Sequence, residues 1–447
     1  MNLLSEIEQR LDSPTARDLA NAVGRAIRDG VLPPGTRLPP IREVARELAL
    51  SPTTVSAGWA LLTRSGTIRT NGRHGTTVAD TAASGGRYRT ALQQQADFSL
   101  DLSTGVPDSA LLPALGPALA RLTSAGIPGN YLDDPVLPQL REVLLADWPY
   151  PAPELMVVDG AMDALDLLAR SVLRFGDRVA VEHPSFPPLV DLLEAVGVQL
   201  VPLPMDADGV VPAALADALS APLTAVVLQP RAQNPTGIST TPARIAELAA
   251  LLGATSTLIV EDDSAGPTSV SPPVSLGRVL PEQTVHIRSF SKSHGPDLRL
   301  AAMSGPHEVL GPLVARRQQG QGWSSRLLQR ILHSLLTDAT AIATVAAARD
   351  EYARRRAAVV DALAGVGVPV GGTDGINIWV PVHDESAAVV RLASQGIGVT
   401  PGAPFALLPS PQDHIRVTVG LLADHHGEVA AQLAAAANTG AWRAGAR

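Results

Sequence analysis

One side chain in 447 residues is a primary amine: Lys292, in a chain that otherwise carries its positive charge on arginine. Arginine replaces lysine in most surface roles, but its guanidinium keeps its proton. A primary amine can lose its proton and condense with an aldehyde. Lys292 lies in Ser289-Phe290-Ser291-Lys292-Ser293-His294-Gly295-Pro296-Asp297-Leu298-Arg299, with hydroxyls before the amine and an arginine seven residues after it. The run reads as an anchor for pyridoxal phosphate. The bland alternative is a surface lysine that survived a compositional bias.

That cofactor needs more than an amine. It needs a carboxylate for its pyridine nitrogen, a donor to its phenolate oxygen, a surface to stack on and a cradle for its phosphate. Gly160-Ala161-Met162 stands where a short strand meets an amphipathic helix, and backbone N–H groups at such a helix start bind phosphate. Phe186, in Pro184-Ser185-Phe186-Pro187, suits stacking on a flat ring, although a core phenylalanine would look the same. Asn234, in Gln233-Asn234-Pro235-Thr236-Gly237, could donate to the phenolate oxygen, and the same run is an ordinary turn sequence. Glu261-Asp262-Asp263 follows an apolar run and offers carboxylates at a strand end.

The elements that must position these groups follow from hydrophobic periodicity. Short β-rich runs at 155–158, 178–181, 225–228 and 257–260 alternate with helical patterns from Phe98 onward. Such alternation predicts an α/β domain with a mostly parallel sheet, whose strand ends place ligands. The preceding stretch, 80–97, is rich in Ala, Gly, Gln and Thr and reads as a linker with a flexible reach of roughly 20–25 Å.

Ahead of the linker, residues 13–79 form a separate module. Leu19, Val23, Ala26 and Ile27 keep helical spacing up to Gly30; Ile41, Val44, Ala45 and Leu48 form a second stripe. Ser51 caps a third helix, Pro52 suits its first position, and Val55, Trp59 and Leu62 are its buried stripe. Two short strands around Asn71-Gly72-Arg73-His74-Gly75 complete a winged helix-turn-helix with its third helix placed for the major groove. Candidate DNA contacts are Ser51, Thr53, Thr54 and Ser56 on that helix, Arg42 on the helix before it, and Arg73 and His74 at the wing tip. The net charge of −8 hides an asymmetry. Nine arginines against Asp18, Asp29, Glu43 and Glu47 give 13–79 a charge of +5, so the remainder carries −13. A basic head on an acidic body is expected when one module meets phosphates and the other does not. With no cysteine, disulfides and thiolate metal sites are excluded, and no metal site is expected. The polar N-terminus and the lack of a span-length apolar run predict a soluble, cytoplasmic protein.

The segment Gly30 to Val78 resembles the DNA-binding domain of the GntR regulators in Leu32-Pro33-Pro34-Gly35-Thr36-Arg37-Leu38-Pro39, Arg42-Glu43-Val44-Ala45, Ser51-Pro52-Thr53-Thr54-Val55 and the Arg73-His74-Gly75 wing. It departs in having Pro52 where that family often has arginine. From about Leu102 to Leu422, the order Gly-Ala, Pro-Ser-Phe-Pro, Asn-Pro-Thr-Gly, Glu-Asp-Asp and Ser-Phe-Ser-Lys resembles fold-type I aminotransferases. That resemblance implies a large α/β domain and a small C-terminal α+β domain, with residues 98–447 in the whole and about 345–447 in the small part. It implies that Lys292 takes the cofactor aldehyde, Asp262 faces the pyridine nitrogen, Asn234 the phenolate oxygen, and Phe186 stacks on the ring. Ser289, Ser291, Arg299 and the amides of Ala161 and Met162 would hold the phosphate. Tyr131 matches a tyrosine that reaches a phosphate across the dimer interface, and Arg416, in His414-Ile415-Arg416-Val417, an arginine that clamps an amino-acid carboxylate. Joined to its head, the chain resembles the MocR group of regulators, which form head-to-tail, domain-swapped dimers.

Two departures bear on function. Catalytic relatives commonly place a tyrosine two or three residues after the aspartate matched by Asp262, and here those positions are Ser264 and Ala265. Val136 replaces a glycine. Three readings follow: a DNA-binding regulator whose sensor binds pyridoxal phosphate and an amine or amino-acid effector; an active aminotransferase with a DNA-binding appendage; and a regulator that senses the cofactor alone. The head favours regulation, and Arg416 favours a carboxylate-bearing effector.

Overall fold

The computed structural model describes residues 3–11, 13–28, 31–33, 35–64, 68–71, 75–78, 98–122, 130 and 133–439. The linker expected at 80–97, the wing-tip residues Arg73 and His74, and Tyr131 lie outside the described residues. The chain divides into two compact units: residues 1–90 with 172–179 and 187–201, and residues 91–171, 180–186 and 202–447.

In the first unit, four helices, α1 (Leu3–Glu8), α2 (Ala16–Arg28), α3 (Ile41–Glu47) and α4 (Pro52–Arg64), accompany a small sheet. Its strands β1 (Arg37–Leu38), β2 (Ile68–Asn71) and β3 (Gly75–Val78) pair antiparallel in the order β1-β3-β2. Leu19, Val23 and Ala26 from α2 meet Val44 of α3 and Val55, Trp59 and Leu62 of α4 in one core, closed by Ile68 and Val78. Helices α2 and α4 approach closely at Gly58, where a Cβ would stand 3.2 Å from the Ala16 carbonyl oxygen and the Leu19 side chain. Ser51 caps α4 as its sequence predicts: the N–H of Thr54 donates to Ser51 Oγ at 3.0 Å. Helix α1 has no counterpart in the sequence reading, yet Leu4 and Ile7 are buried in this core. Six residues are too few to show a helical period, and only the presence of the core makes the segment amphipathic.

An eight-stranded sheet organises the larger part of the chain. Its strands are β5 (Glu154–Val158), β6 (Arg178–His183), β7 (Gln199–Asp206), β8 (Gly209–Val210), β9 (Ala225–Leu228), β10 (Leu258–Asp263), β11 (Thr284–Ser289) and β12 (Ala301–Gly305), in the order β5-β12-β11-β10-β9-β6-β7-β8. Strands β9, β10 and β11 are parallel, as expected, but β12 runs antiparallel to both β11 and β5. The reason is connection length. Only residues 290–300 separate β11 from β12, and a parallel crossover takes a dozen residues or more.

Strand β10 also runs further than predicted, so Glu261, Asp262 and Asp263 are strand residues and not an appendage to its end. Side chains alternate across a strand, which sends Asp262 to one face and its two neighbours to the other. On that other face Glu261 accepts from Ser275 Oγ and the Leu276 N–H, each at 2.6 Å, and lies 2.8 Å from His286 Nδ1. Asp263 forms a bidentate pair with Arg231 at 2.5 and 3.2 Å.

The C-terminal part has its own core. Strands β13 (Ile378–Val382), β15 (Thr400–Pro401) and β16 (Asp413–Val417) form an antiparallel sheet in the order β13-β16-β15, while β14 (Ile397–Gly398) pairs parallel with β4 (Leu100–Asp101). Val359, Leu363, Ile378, Val380, Leu392, Ile415 and Leu433 pack here together with Leu102. The segment that opens the domain is thus part of the core that closes it. Among the described residues no single helix is long and apolar enough to cross a membrane.

The Arg231–Asp263 pair supplies a stability test. Burial works against the Asp263 carboxylate, but Arg231 holds its pKa below the usual range. Breaking a buried pair by removing one partner costs about 3–5 kcal/mol. Arg231→Met should therefore lower stability by that order in urea unfolding at neutral pH. The deficit should shrink as pH falls through the folded-state pKa of Asp263, because a depressed carboxyl stabilises only while it is ionised.

Candidate functional site

The amine at the centre of the sequence reading lies in a four-residue helix, Ser291–His294, directly after β11. Burial drives the Lys292 pKa down; the negative charge of Asp262 opposes this, and Arg416 adds to it. Burial and Arg416 thus make the proton easier to lose than on a free lysine, and the deprotonated amine is the nucleophilic form. On the adjacent strand β10, Asp262 is buried, and its two oxygens are occupied by neutral donors: Ser264 Oγ at 2.5 Å and Gln229 Nε2 at 2.8 Å. Burial raises the Asp262 pKa, while Ser264, Gln229 and the charge of Lys292 pull it back.

Asn234 is reached from Asp262 through Gln229, whose Oε1 accepts the Asn234 N–H at 2.9 Å. Beyond it stands Arg416 on β16, 1% exposed, with Nη1 3.5 Å from Asn234 Oδ1. The same guanidinium donates to Thr400 Oγ1 at 3.0 Å and to the Ser103 carbonyl, and lies 5.3 Å over the Phe405 ring. Gly105 admits it: with φ of 67°, a Cβ there would stand 3.2 Å from Arg416 Nη1. Phe186 is half-buried at the end of a loop held by Gln233 Nε2 on the Pro184 carbonyl at 2.8 Å and by the Ser185 N–H on the Phe405 carbonyl at 2.9 Å.

Of the phosphate candidates, Arg299 and the amides of Ala161 and Met162 lie at one helix start. Gly160 (φ 105°) ends the turn after β5, and the helix Ala161–Val172 presents the amides of Ala161 and Met162. Arg299, itself left-handed at φ 48°, donates to the Asp159 carbonyl at 3.0 Å, and a Cβ on Gly160 would stand 2.9 Å from its Nη2. Ser289 closes β11 and accepts the Ser291 N–H at 3.3 Å. Two carboxylates also stand at this helix start, Asp159 and Asp163, and Arg317 pairs with them at 2.8 and 2.5 Å. The flanks of Tyr131 are held by Arg326, which donates to the carbonyls of Asn130, Asp133 and Asp134 at 3.1, 2.7 and 3.2 Å.

These residues fit pyridoxal phosphate. Asp262, held by the neutral donors Ser264 and Gln229, has capacity left for a cationic ring nitrogen, the amides at the helix start and Arg299 offer a cradle, and the Lys292 amine, its pKa lowered by burial, lies within the field of the same carboxylate. Gln229 and Arg317 are absent from the sequence reading, because an isolated glutamine or arginine at a strand or helix end carries no motif. Glu182 is absent from it too. It is buried on β6, accepts the Gln229 N–H at 3.0 Å, and burial pushes its pKa up to about 8.

In the head, Ser51 Oγ lies 2.7 Å from Thr53 Oγ1 and 2.8 Å from Thr54 Oγ1, besides capping α4. Ser51, Thr53 and Ser56 are exposed, as is Arg42 on α3, whereas Thr54 is half-buried. The hydroxyl of Ser51 is thus committed to the helix start, and Thr53, Ser56 and Arg42 present the more available polar groups.

Gly160 gives the sharpest test of the cradle. Gly160→Ala must strain a φ of 105° and displace Arg299, and strain of this kind costs about 1–3 kcal/mol. Pyridoxal phosphate affinity in a spectral titration should fall about tenfold or more, with the thermal unfolding of the α1–α4 head unchanged.

Residues 15–78 match the gntR family of bacterial regulatory proteins, and residues 99–433 match the aminotransferases of class I and II. The chain is 34% identical to the vitamin B6 salvage pathway transcriptional repressor PtsJ of Salmonella typhimurium, over 93% of this chain and 96% of that protein. It is 26% identical to the pyridoxine biosynthesis transcriptional regulator PdxR of Corynebacterium glutamicum, over 86% of each. In fold it is similar to the kynurenine aminotransferase of Pyrococcus horikoshii, with a TM-score of 0.71 at 21% identity over 80% of this chain and 96% of that one. The chain therefore belongs to the MocR group of GntR-family transcription regulators, in which a winged helix-turn-helix is fused to an aminotransferase-like domain.

Proposed function

We propose that this regulator binds operator DNA through its head and pyridoxal phosphate through Lys292, and that occupancy of the cofactor site controls DNA binding in the cytoplasm. The observation that carries the reading is the field around Lys292, a partly buried amine whose proton is disfavoured by burial and by Arg416, beside a carboxylate spared for a ring nitrogen. When bound, the cofactor supplies an aldehyde for amine condensation and an electron-withdrawing ring. The chain's own residues do the rest. Asp262 holds charge at the ring nitrogen, Asn234 donates to the phenolate oxygen, Phe186 covers the ring, and Arg299, Ser289, Ser291 and the Ala161 and Met162 amides hold the phosphate. On the DNA side Arg42, Ser51, Thr53, Thr54, Ser56, Arg73 and His74 contact the duplex. Protection of a site beside its own gene in footprinting supports this; no protected site at moderate salt counts against it.

We further propose a homodimer, domain-swapped as in its group, with Tyr131 reaching the partner's phosphate. Leu119, Leu145, Leu327 and Ile342, exposed on helices of the aminotransferase-like unit, are apolar area that a second copy would cover.

The effector can be read in two ways. Arg416 stands one side chain from Asn234, so an amino acid could place its carboxylate on the guanidinium and its amine at the cofactor aldehyde, favouring one conformation. The second reading takes pyridoxal phosphate itself as the signal. The names of PtsJ and PdxR, which refer to vitamin B6 salvage and pyridoxine biosynthesis, favour it, and so does Ser264 in the place of a tyrosine, which suits binding over turnover. DNA affinity measured with cofactor alone, and with cofactor plus amino acids, separates the two. If an amino acid is sensed, Arg416→Ala should keep cofactor and DNA binding and lose the response, about 1.4 kcal/mol for each tenfold change in DNA affinity. If the cofactor is sensed, Lys292→Ala should abolish the response. Release of keto acid from an amino-acid substrate would instead mark an active aminotransferase.

A further inference from the structure

Between the carboxylate of Asp262 and the loop at Asn234 stands Gln229, the residue after β9, 6% exposed. Its Nε2 donates to Asp262 Oδ2 at 2.8 Å, its Oε1 accepts the Asn234 N–H at 2.9 Å, and its backbone N–H donates to Glu182 at 3.0 Å. The amide can point only one way. Flipped, it would set a carbonyl oxygen against a carboxylate and an NH2 group against an N–H. Asn234 Oδ1 is in turn 3.5 Å from Arg416 Nη1, which leaves the Asn234 NH2 free to face away from the guanidinium.

We propose that Gln229 is a positioning residue that sets the Asp262 carboxylate and the Asn234 amide as one unit toward the ring nitrogen and phenolate oxygen of pyridoxal phosphate. This rests on the cofactor reading above. The two bonds of its side chain have different consequences. A donor to the ionised form of a buried carboxyl favours ionisation, so Gln229, together with Ser264, keeps Asp262 charged to lower pH than burial alone would allow. A protonated Asp262 offers the ring nitrogen no charge, so cofactor affinity should have an acid limb set by this carboxyl. The bond to Asn234 satisfies a buried N–H and holds its loop, which matters at every pH.

The test is the dissociation constant of pyridoxal phosphate for the full chain, followed by absorbance from acid to mildly alkaline pH. Ser264→Ala, which removes a donor to Asp262 and leaves the Asn234 loop tied, should move the acid limb to higher pH and weaken the plateau less than Gln229→Met does. Gln229→Met should move the limb in the same direction and also weaken the plateau about tenfold. Gln229→Asn keeps the amide but withdraws it by one methylene, and is the milder variant should Gln229→Met not be recovered folded; it should move the limb the same way. Equal weakening at all pH with an unmoved limb would reduce Gln229 to a structural role and overturn the proposal, as would unchanged affinity. A parent protein that binds no pyridoxal phosphate at any pH would overturn the cofactor reading itself, and this inference with it.

Discussion

A strand that ends in three consecutive acidic residues, all buried, has to satisfy them or not fold. In β10 the alternation of side chains divides the problem between two faces and solves it differently on each. Asp263 is neutralised by the guanidinium of Arg231, and Glu261 is surrounded by donors from Ser275, Leu276 and His286. Asp262 accepts hydrogen bonds from the neutral amide of Gln229 and the hydroxyl of Ser264. A carboxylate already paired with arginine has little left for a ligand. One held by neutral donors is oriented but still seeks a positive charge, and the rest of the site is arranged around that demand.

Arg416 carries the second constraint. A guanidinium at 1% exposure is costly unless its donors find acceptors, and here the acceptors come from three distant stretches: Ser103, Thr400 and Asn234. Ser103 follows β4, whose pairing with β14 makes the opening segment of the domain a part of the C-terminal core. The arginine is therefore fixed by the C-terminal fold and touches the Asn234 loop of the larger sheet. If the proposed amino-acid effector draws on that charge, it acts on both.

The departure at Ser264 takes on a definite meaning in this setting. In place of a tyrosine aimed at the phenolate oxygen, the chain has a short hydroxyl that turns back to Asp262 at 2.5 Å. On the proposed reading, the donor has moved from the cofactor to the residue that would face its ring nitrogen. Such an exchange opposes the effect of burial on the carboxyl and leaves no tyrosine hydroxyl there to tune an amine, which on the proposed reading suits recognition of the cofactor over turnover of a substrate.

Much of this organisation is local, and so was legible in the chain. The lone lysine, the helix caps and stripes of the head, the strand–glycine–helix turn at Gly160 and the order of the later motifs are short-range patterns, and their resemblance to known families follows from them. The length of a connection is equally local, yet its effect is not. Residues 290–300 are too few for a crossover, so β12 runs against the parallel strands that periodicity led one to expect. Helix α1 was invisible because its amphipathicity exists only against the head core. Gln229, Glu182 and Arg317 were invisible because a residue 33 positions from Asp262, as Gln229 is, acquires its role only when the sheet sets β9 beside β10. The amino-acid order by itself determined which groups could do chemistry and which elements carry them. The tertiary structure alone decided that Asp263 is paired with a guanidinium while Asp262 is held by neutral donors, because burial and hydrogen-bond direction arise only where strands meet.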